Sequence, residues 1–169
     1  MTYSIVYSSR TGNTRQLAQA IREALPTGEC LYFGSPDAQA LAAERLYVGF
    51  WTDKGSCDED TRAFLEKLEG KDVFLFGTAG FGGAPEYFQR LLDRVRQALP
   101  GGNRVTGAFM CQGRMPASVR ERYERMLQSP EHKLQAEKMI ENFDQALNHP
   151  DEDDLQRLKQ AVSAVHAQP

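Results

Sequence analysis

Short apolar runs alternate along this chain with longer segments whose apolar residues recur every three or four positions, and that alternation constrains the fold more than any other feature. The runs Tyr3–Tyr7, Cys30–Phe33, Leu46–Trp51, Val73–Gly77 and Val105–Met110 are rich in β-branched, aromatic and aliphatic residues, as strands are. Between them Leu17, Ile21 and Leu25 repeat at intervals of four, Phe64 and Leu68 do likewise, and Tyr87, Phe88, Leu91, Leu92, Val95 and Leu99 form a broad stripe at helical period. Strands that are apolar along their whole length need cover on both faces. Five of them joined by amphipathic helices predict an α/β sandwich, with a parallel sheet between two helical layers. Residues 35–44 fit either a short helix or an irregular connection.

After the fifth strand come three segments each opened by proline: "PASVRERYERMLQS", "PEHKLQAEKMIENFDQALNH" and "PDEDDLQRLKQAVSAVHAQ". Proline suits the first turn of a helix. The middle segment sets Leu134, Ile140, Phe143 and Leu147 roughly on one face and is expected to cover the sheet. The last sets Leu155, Leu158, Val162 and Val165 on another, behind an acidic start that favours the positive helix end. It reads as an appended C-terminal helix, residues 149–169, belonging to the same domain as residues 1–148.

Several functional classes are excluded early. No apolar stretch approaches the length that spans a bilayer, so no membrane insertion is expected. The N-terminus lacks a basic segment followed by a long apolar region, and the three cysteines, Cys30, Cys57 and Cys111, are scattered, which points to a reducing cytoplasm. A net charge of −3 disfavours nucleic acid. His132, His149 and His166 show no metal-ligand spacing with one another or with the cysteines. Cys57 stands beside "DED" at a helix start and reads as a packing residue rather than a redox thiol.

The first strand-to-helix connection reads "SRTGNT", residues 9–14. A helix start offers free N–H groups and a partial positive charge, which hold a phosphate without any lysine. Ser9, Thr11 and Thr14 add hydroxyl donors, Gly12 lets the backbone approach closely, and Asn13 can hold the turn. The same residue types also cap helices, but their density directly after a first strand favours an anion site. The loop matches neither the G-x-x-x-x-G-K-[ST] nor the G-x-G-x-x-G pattern, so a monophosphate suits it better than a nucleoside triphosphate or a dinucleotide.

These residues resemble the phosphate loop of flavodoxins, with its pattern [ST]-x-T-G-x-T. Two further loops extend the likeness: "GFWTDKGSCDED" resembles the loop facing one side of the flavin ring, and "FGTAGFGGAPEYF" the loop facing the other. The resemblance spans about residues 3 to 147 and implies strand order 2-1-3-4-5, non-covalent FMN and one-electron transfer. Carried over by position, it implies that Ser9, Arg10, Thr11, Gly12, Asn13 and Thr14 enclose the phosphate and that Thr52, Asp53, Lys54 and Gly55 border the ring. Phe81 would stack on the opposite face, where flavodoxins more often have tryptophan or tyrosine, flanked by Thr78, Ala79, Gly80, Gly82 and Gly83. Trp51 fits a second ring contact or a core tryptophan equally well. Cys111 and Gln112 are lesser candidates for the pocket lining.

The family's partners would be a reductase and an acceptor enzyme, with this protein shuttling single electrons between them. An FMN-dependent NAD(P)H:quinone-type oxidoreductase and a flavodoxin-fold interaction protein without flavin are the alternatives. The carrier is preferred because no G-x-G-x-x-G and no added domain provides for a nicotinamide. The chain is only mildly acidic where flavodoxins are often strongly so. Asp53, Lys54, Asp58, Glu59 and Asp60, set against Arg114 and Arg120, predict a docking surface of mixed charge. The segment "CQGRMPASVRERYERML" is also similar, more weakly, to flavodoxin-like proteins associated with bilirubin reductase. Its run of arginines fits either positive charge near the cofactor edge or a solvated helix face with pairs such as Arg120–Glu124, and the second reading is preferred for most of those charges.

Overall fold

The computed structural model describes residues 1–82 and 84–169; Gly83 lies outside the described residues. Within them the chain forms strands β1 (Tyr3–Tyr7), β2 (Cys30–Gly34), β3 (Arg45–Asp53), β4 (Ser56–Cys57), β5 (Asp72–Ala79) and β6 (Arg104–Gln112). The helices are α1 (Asn13–Ala24), α2 (Glu59–Leu65), α3 (Pro85–Arg96), α4 (Ala117–Met126), α5 (Lys133–Ala146) and α6 (Glu152–His166). The sheet order is β2-β1-β3-β5-β6, parallel throughout. This is the expected order 2-1-3-4-5 with one addition. The short β4 folds back antiparallel on the end of β3, Thr52 opposite Cys57 and Asp53 opposite Ser56. The later strands outrun their apolar runs because polar and small end residues still find ladder partners, as Asp72 does with Arg104 and Ala79 with Gln112.

Alternation along each strand sends residues to two cores. Leu46, Val48 and Phe50 of β3 join Val73 and Leu75 of β5 on one face, under Phe64 and Leu65 of α2 and Leu91, Leu92 and Val95 of α3. Tyr47 joins Ile5, Phe74, Phe76 and Phe109 on the other, under Leu17 and Ile21 of α1 and Leu158 and Val162 of α6. Segment 35–44 forms a 3-10 turn over Ala38–Ala42, with the Asp37 side chain accepting from the Gln39 N–H at 2.8 Å. Its Ala40 is fully buried in the first core.

Two glycines allow β3 and β5 to pair tightly. Gly49 lies opposite Phe76, and Phe50 opposite Gly77. A Cβ on Gly49 would stand 2.3 Å from the Phe76 ring, and one on Gly77 would stand 2.5 Å from the Phe50 ring. Each phenylalanine thus lies over the glycine of the neighbouring strand, one on each face of the sheet.

Of the two long C-terminal helices, α6 packs on the fold as an appended helix was expected to, and α5 departs from its expected role. Helix α6 packs on α1 and β6, and its Leu158 and Val162 are fully buried. Helix α5 instead pairs with α4; Leu134 is 67% exposed and Leu147 38%, while Phe143 is buried. The cover expected of α5 therefore comes from α6, whose apolar face faces the second core. Arg45, 1% exposed, fixes its end by donating to the carbonyl oxygens of Val165 at 3.0 Å and Gln168 at 3.3 Å. Such donors satisfy the orphan carbonyls of a helix C-terminus. At the other end Asp151 and Asp154 form a reciprocal capping box. The prolines sit just ahead of these helices rather than in their first turns: Pro116 is the N-cap of α4, and Pro150 precedes the cap of α6.

Leu158→Ala should lower unfolding stability by about 2–5 kcal/mol, as a buried leucine truncation does, while Leu134→Ala should change it by less than about 0.5 kcal/mol. Urea denaturation of the two variants checks the assignment. Similar values for both would mean that α6 is not the cover of the second core.

Candidate cofactor-binding site

Parallel strands in register end together, so the loops after β1, β3, β5 and β6 leave the sheet at the same edge. They surround a cleft of about 760 Å³, within the range of roughly 300–1,000 Å³ usual for small-molecule sites. Arg10, Thr11 and Asn13 line it from the first loop, Trp51, Thr52, Lys54 and Gly55 from the second, and Thr78, Ala79, Gly80 and Phe81 from the third. Ser9, Gly12, Thr14, Asp53 and Gly82 belong to the same loops but do not line the cleft. The expectation for Gly83 lies outside the described residues.

The first loop is built around the start of α1. Gly12 holds φ +90° with nothing near its absent Cβ, so glycine is needed there for backbone conformation rather than for space. The Ser9 hydroxyl oxygen accepts from Gly12 N–H at 3.1 Å and from Arg15 N–H at 3.3 Å, gathering donors of the first turn. No acidic side chain stands in that turn. Thr14 departs from its expected place: it is 1% exposed, its hydroxyl donates to Phe50 O at 3.1 Å, and Thr78 Oγ1 lies 3.2 Å away. Its side chain ties α1 to β3 and β5 instead of facing the cleft. Asn13 points across the edge, donating to Arg114 O at 2.8 Å and to Thr11 Oγ1 at 3.0 Å.

The second loop turns through Lys54 and Gly55, both at positive φ, 50° and 79°. Arg94 of α3 reaches over to donate to Gly55 O at 3.0 Å, and Thr52 Oγ1 donates to Thr78 O at 2.8 Å, joining the second loop to the third. Trp51 is half-buried and lines the cleft, with the Arg10 guanidinium 5.4 Å from its ring centre, so the reading of Trp51 as a core residue does not hold. Phe81 is 42% exposed and lines the cleft from the third loop. In the third loop Gly80 O receives hydrogen bonds from Gln112 Nε2 at 3.2 Å and Asn142 Nδ2 at 3.0 Å.

Gln112 therefore supports the third loop from behind and does not line the cleft. Cys111 is buried on the α6 side of the sheet, where burial first, and the charge of Asp154 second, push its thiol well above the usual range. Cys57 is also buried, and burial with the adjacent Asp58 raises its thiol too. Both are packing residues with little thiolate character.

Arg114, expected beside the site, lines the cleft. The residues that sequence reasoning missed adjoin it in a fourth wall: Gly113, Met115 and Pro116 follow β6, and Ser118, Val119, Arg122 and Arg125 form the cleft-facing side of α4. Tyr87 of α3 completes the lining. The spacing 118, 119, 122, 125 is a helical face, and its periodicity was a usable signal. Arg120 points elsewhere, pairing with Glu124 and, at 3.0 Å, with Asp144. Asp58 is buried as the cap of α2, and Glu59 and Asp60 occupy that helix's first turn; none of these acidic residues lines the cleft. Among the described residues the charged residues of the lining itself are all cationic.

A family model described as "Flavodoxin domain" matches residues 4–163. This chain belongs to the flavodoxin family. It is 42% identical to the flavodoxin-like domain-containing protein BilS of Clostridium symbiosum (strain WAL-14163), over 99% of this chain and 97% of that protein. Among solved structures it is similar to a short-chain flavodoxin associated with a non-canonical PDU bacterial microcompartment, with a TM-score of 0.61, 18% identity and coverage of 98% and 97%. The flavodoxin of Streptococcus pneumonia TIGR4 gives a TM-score of 0.60 at 18% identity, over 99% of both chains. At these identities the solved structures establish the flavodoxin fold. Among the described residues no helix is long and apolar enough to cross a membrane.

Asn13→Asp removes the amide donors that hold Arg114 O and sets an oxygen against it. The variant should lose about 1–3 kcal/mol of stability through the unmet carbonyl, with faster amide exchange across residues 113–115. Unchanged exchange there would remove Asn13 as the link between the first loop and the fourth wall.

Proposed function

We propose that the cleft binds FMN and that the protein carries single electrons between a reductase and an acceptor enzyme. The observation that carries this reading is the convergence on one cleft of a helix N-terminus with two aromatic side chains, Trp51 from the second loop and Phe81 from the third. The first-turn N–H groups of α1 already meet an oxygen acceptor, Ser9 Oγ, and a phosphate oxygen nearby would be received by donors of the same kind. Thr11 adds an exposed hydroxyl on the cleft wall. The planar rings of Trp51 and Phe81 suit stacking against a flat heterocycle. Gly80, held by Gln112 and Asn142, and Gly55, held by Arg94, present backbone polar groups at fixed positions beside it. Once bound, FMN supplies the one- and two-electron redox chemistry that no side chain of this protein can supply.

What this chain's own residues do is hold, orient and partly expose that group. Phe81 stands at the solvent side of the cleft, so a ring beside it keeps an edge open for electron exchange through a brief contact. A small, partly polar contact is enough for that purpose.

Absorbance titration with FMN and with riboflavin tests the site. Thr11→Ala should weaken FMN by about tenfold or more, the worth of one hydrogen bond to a charged group, and leave riboflavin nearly unchanged. Equal losses for both ligands would place the phosphate elsewhere. The loaded protein should take electrons from an added reductase one at a time and oxidise NADH or NADPH negligibly alone. Rapid NAD(P)H oxidation coupled to quinone reduction, without a reductase, would replace the carrier by an enzyme.

A further inference from the structure

The charged residues lining the cleft are Arg10, Lys54, Arg114, Arg122 and Arg125, and no carboxylate lines it. All five are exposed. Among the described residues none of them forms an ion pair, whereas Arg104, Arg120, Arg157 and Lys159 are each held by a carboxylate. The protein as a whole carries a net charge of −3, so the cationic lining of this opening is opposite in sign to the net charge.

The five cations come from four places in the fold, the loops after β1, β3 and β6 and the helix α4, and are anchored on different groups rather than on one point. Arg10 lies over the Trp51 ring at 5.4 Å, and Arg122 lies 5.6 Å from the Tyr123 ring centre. Arg114 Nε donates to Leu147 O at 3.0 Å, which anchors that side chain without neutralising it. Lys54 stands at the turn of the second loop. Exposed, unpaired charges of one sign spread around an opening create a field that steers an oppositely charged surface toward it.

We infer that this cationic rim is the docking surface for an acidic protein partner, whose carboxylate-bearing patch seats over the cleft. The inference rests on the carrier reading for the redox role of that partner, but the charge complementarity stands without it. A surface is favoured over a small carboxylate ligand because the cations are exposed and dispersed, where a small anion needs donors converging on one spot.

Plant-type ferredoxin, an acidic one-electron protein, and cytochrome c, a basic one, serve as probes, with citrate as a small polycarboxylate. Amide chemical shifts of the ¹⁵N-labelled protein are followed at low ionic strength. Ferredoxin should perturb residues around Lys54, Arg114 and 118–125 and bind more tightly than cytochrome c. Its binding should weaken by about tenfold or more on adding physiological salt, and by a similar factor in the R122E/R125E variant. Tighter binding of cytochrome c at this face, or equal ferredoxin binding by the wild type and the variant, overturns the proposal. Citrate that saturates the same signals and excludes ferredoxin overturns it in favour of a small carboxylate ligand. FMN retention is measured separately by absorbance. Ferredoxin docking by a protein that fails to hold FMN supports the rim and counts against the flavin reading alone.

Discussion

The in-register pairing of β1, β3 and β5 is the constraint on which everything else depends. Tyr3, Arg45 and Asp72 lie side by side at one end of the sheet, and Val6, Val48 and Leu75 lie side by side further along. Because parallel strands all run the same way, this register delivers the loops after β1, β3 and β5 to one edge. It also lets the reciprocal pairs of Gly49 with Phe76 and Phe50 with Gly77 form just before that edge. A one-residue slip of β3 would turn Leu46, Val48 and Phe50 to the opposite face and separate each phenylalanine from its glycine.

The site depends on hydrogen bonds between loops as much as on the loops themselves. Thr14 joins the first loop to β3 and β5, Thr52 the second to the third, Asn13 the first to the fourth wall, and Gln112 with Asn142 the third to α5. Each donor residue meets a backbone carbonyl of another segment, that of Phe50, Thr78, Arg114 or Gly80, and so fixes one wall relative to the next. The walls around Trp51 and Phe81 are thereby set by the scaffold. This preorganisation favours a rigid planar guest.

The α4–α5 pair changes the character of the cleft. Arg122 and Arg125 of α4 face the opening, while Arg120, two residues before Arg122 and turned away, is held by Glu124 and Asp144. Hydrogen bonding from Arg120 holds the Asp144 carboxyl below its ordinary range. The helix thus has a neutralised side toward α5 and a cationic side toward the cleft, an asymmetry that net charge and composition average away.

The sequence determined the five-strand alternation, the helical periods, the Gly12 turn and the three loops that meet at the cleft, because each rests on local chemistry: side-chain period, backbone freedom at glycine, or donors at a helix start. The flavodoxin likeness of "SRTGNT" was legible for the same reason, since those residues are contiguous. Only the tertiary structure decided that Thr14 faces the core, that Trp51 faces the cleft, and that Gly113 to Arg125 form a fourth wall. It also decided that α6 rather than α5 covers the second core. Both helices are amphipathic, and periodicity shows that a helix has an apolar face without saying which surface that face will meet. That choice is made by the space left between α1 and β6 and by the Arg45 side chain, brought to the end of α6 from 120 residues away in sequence.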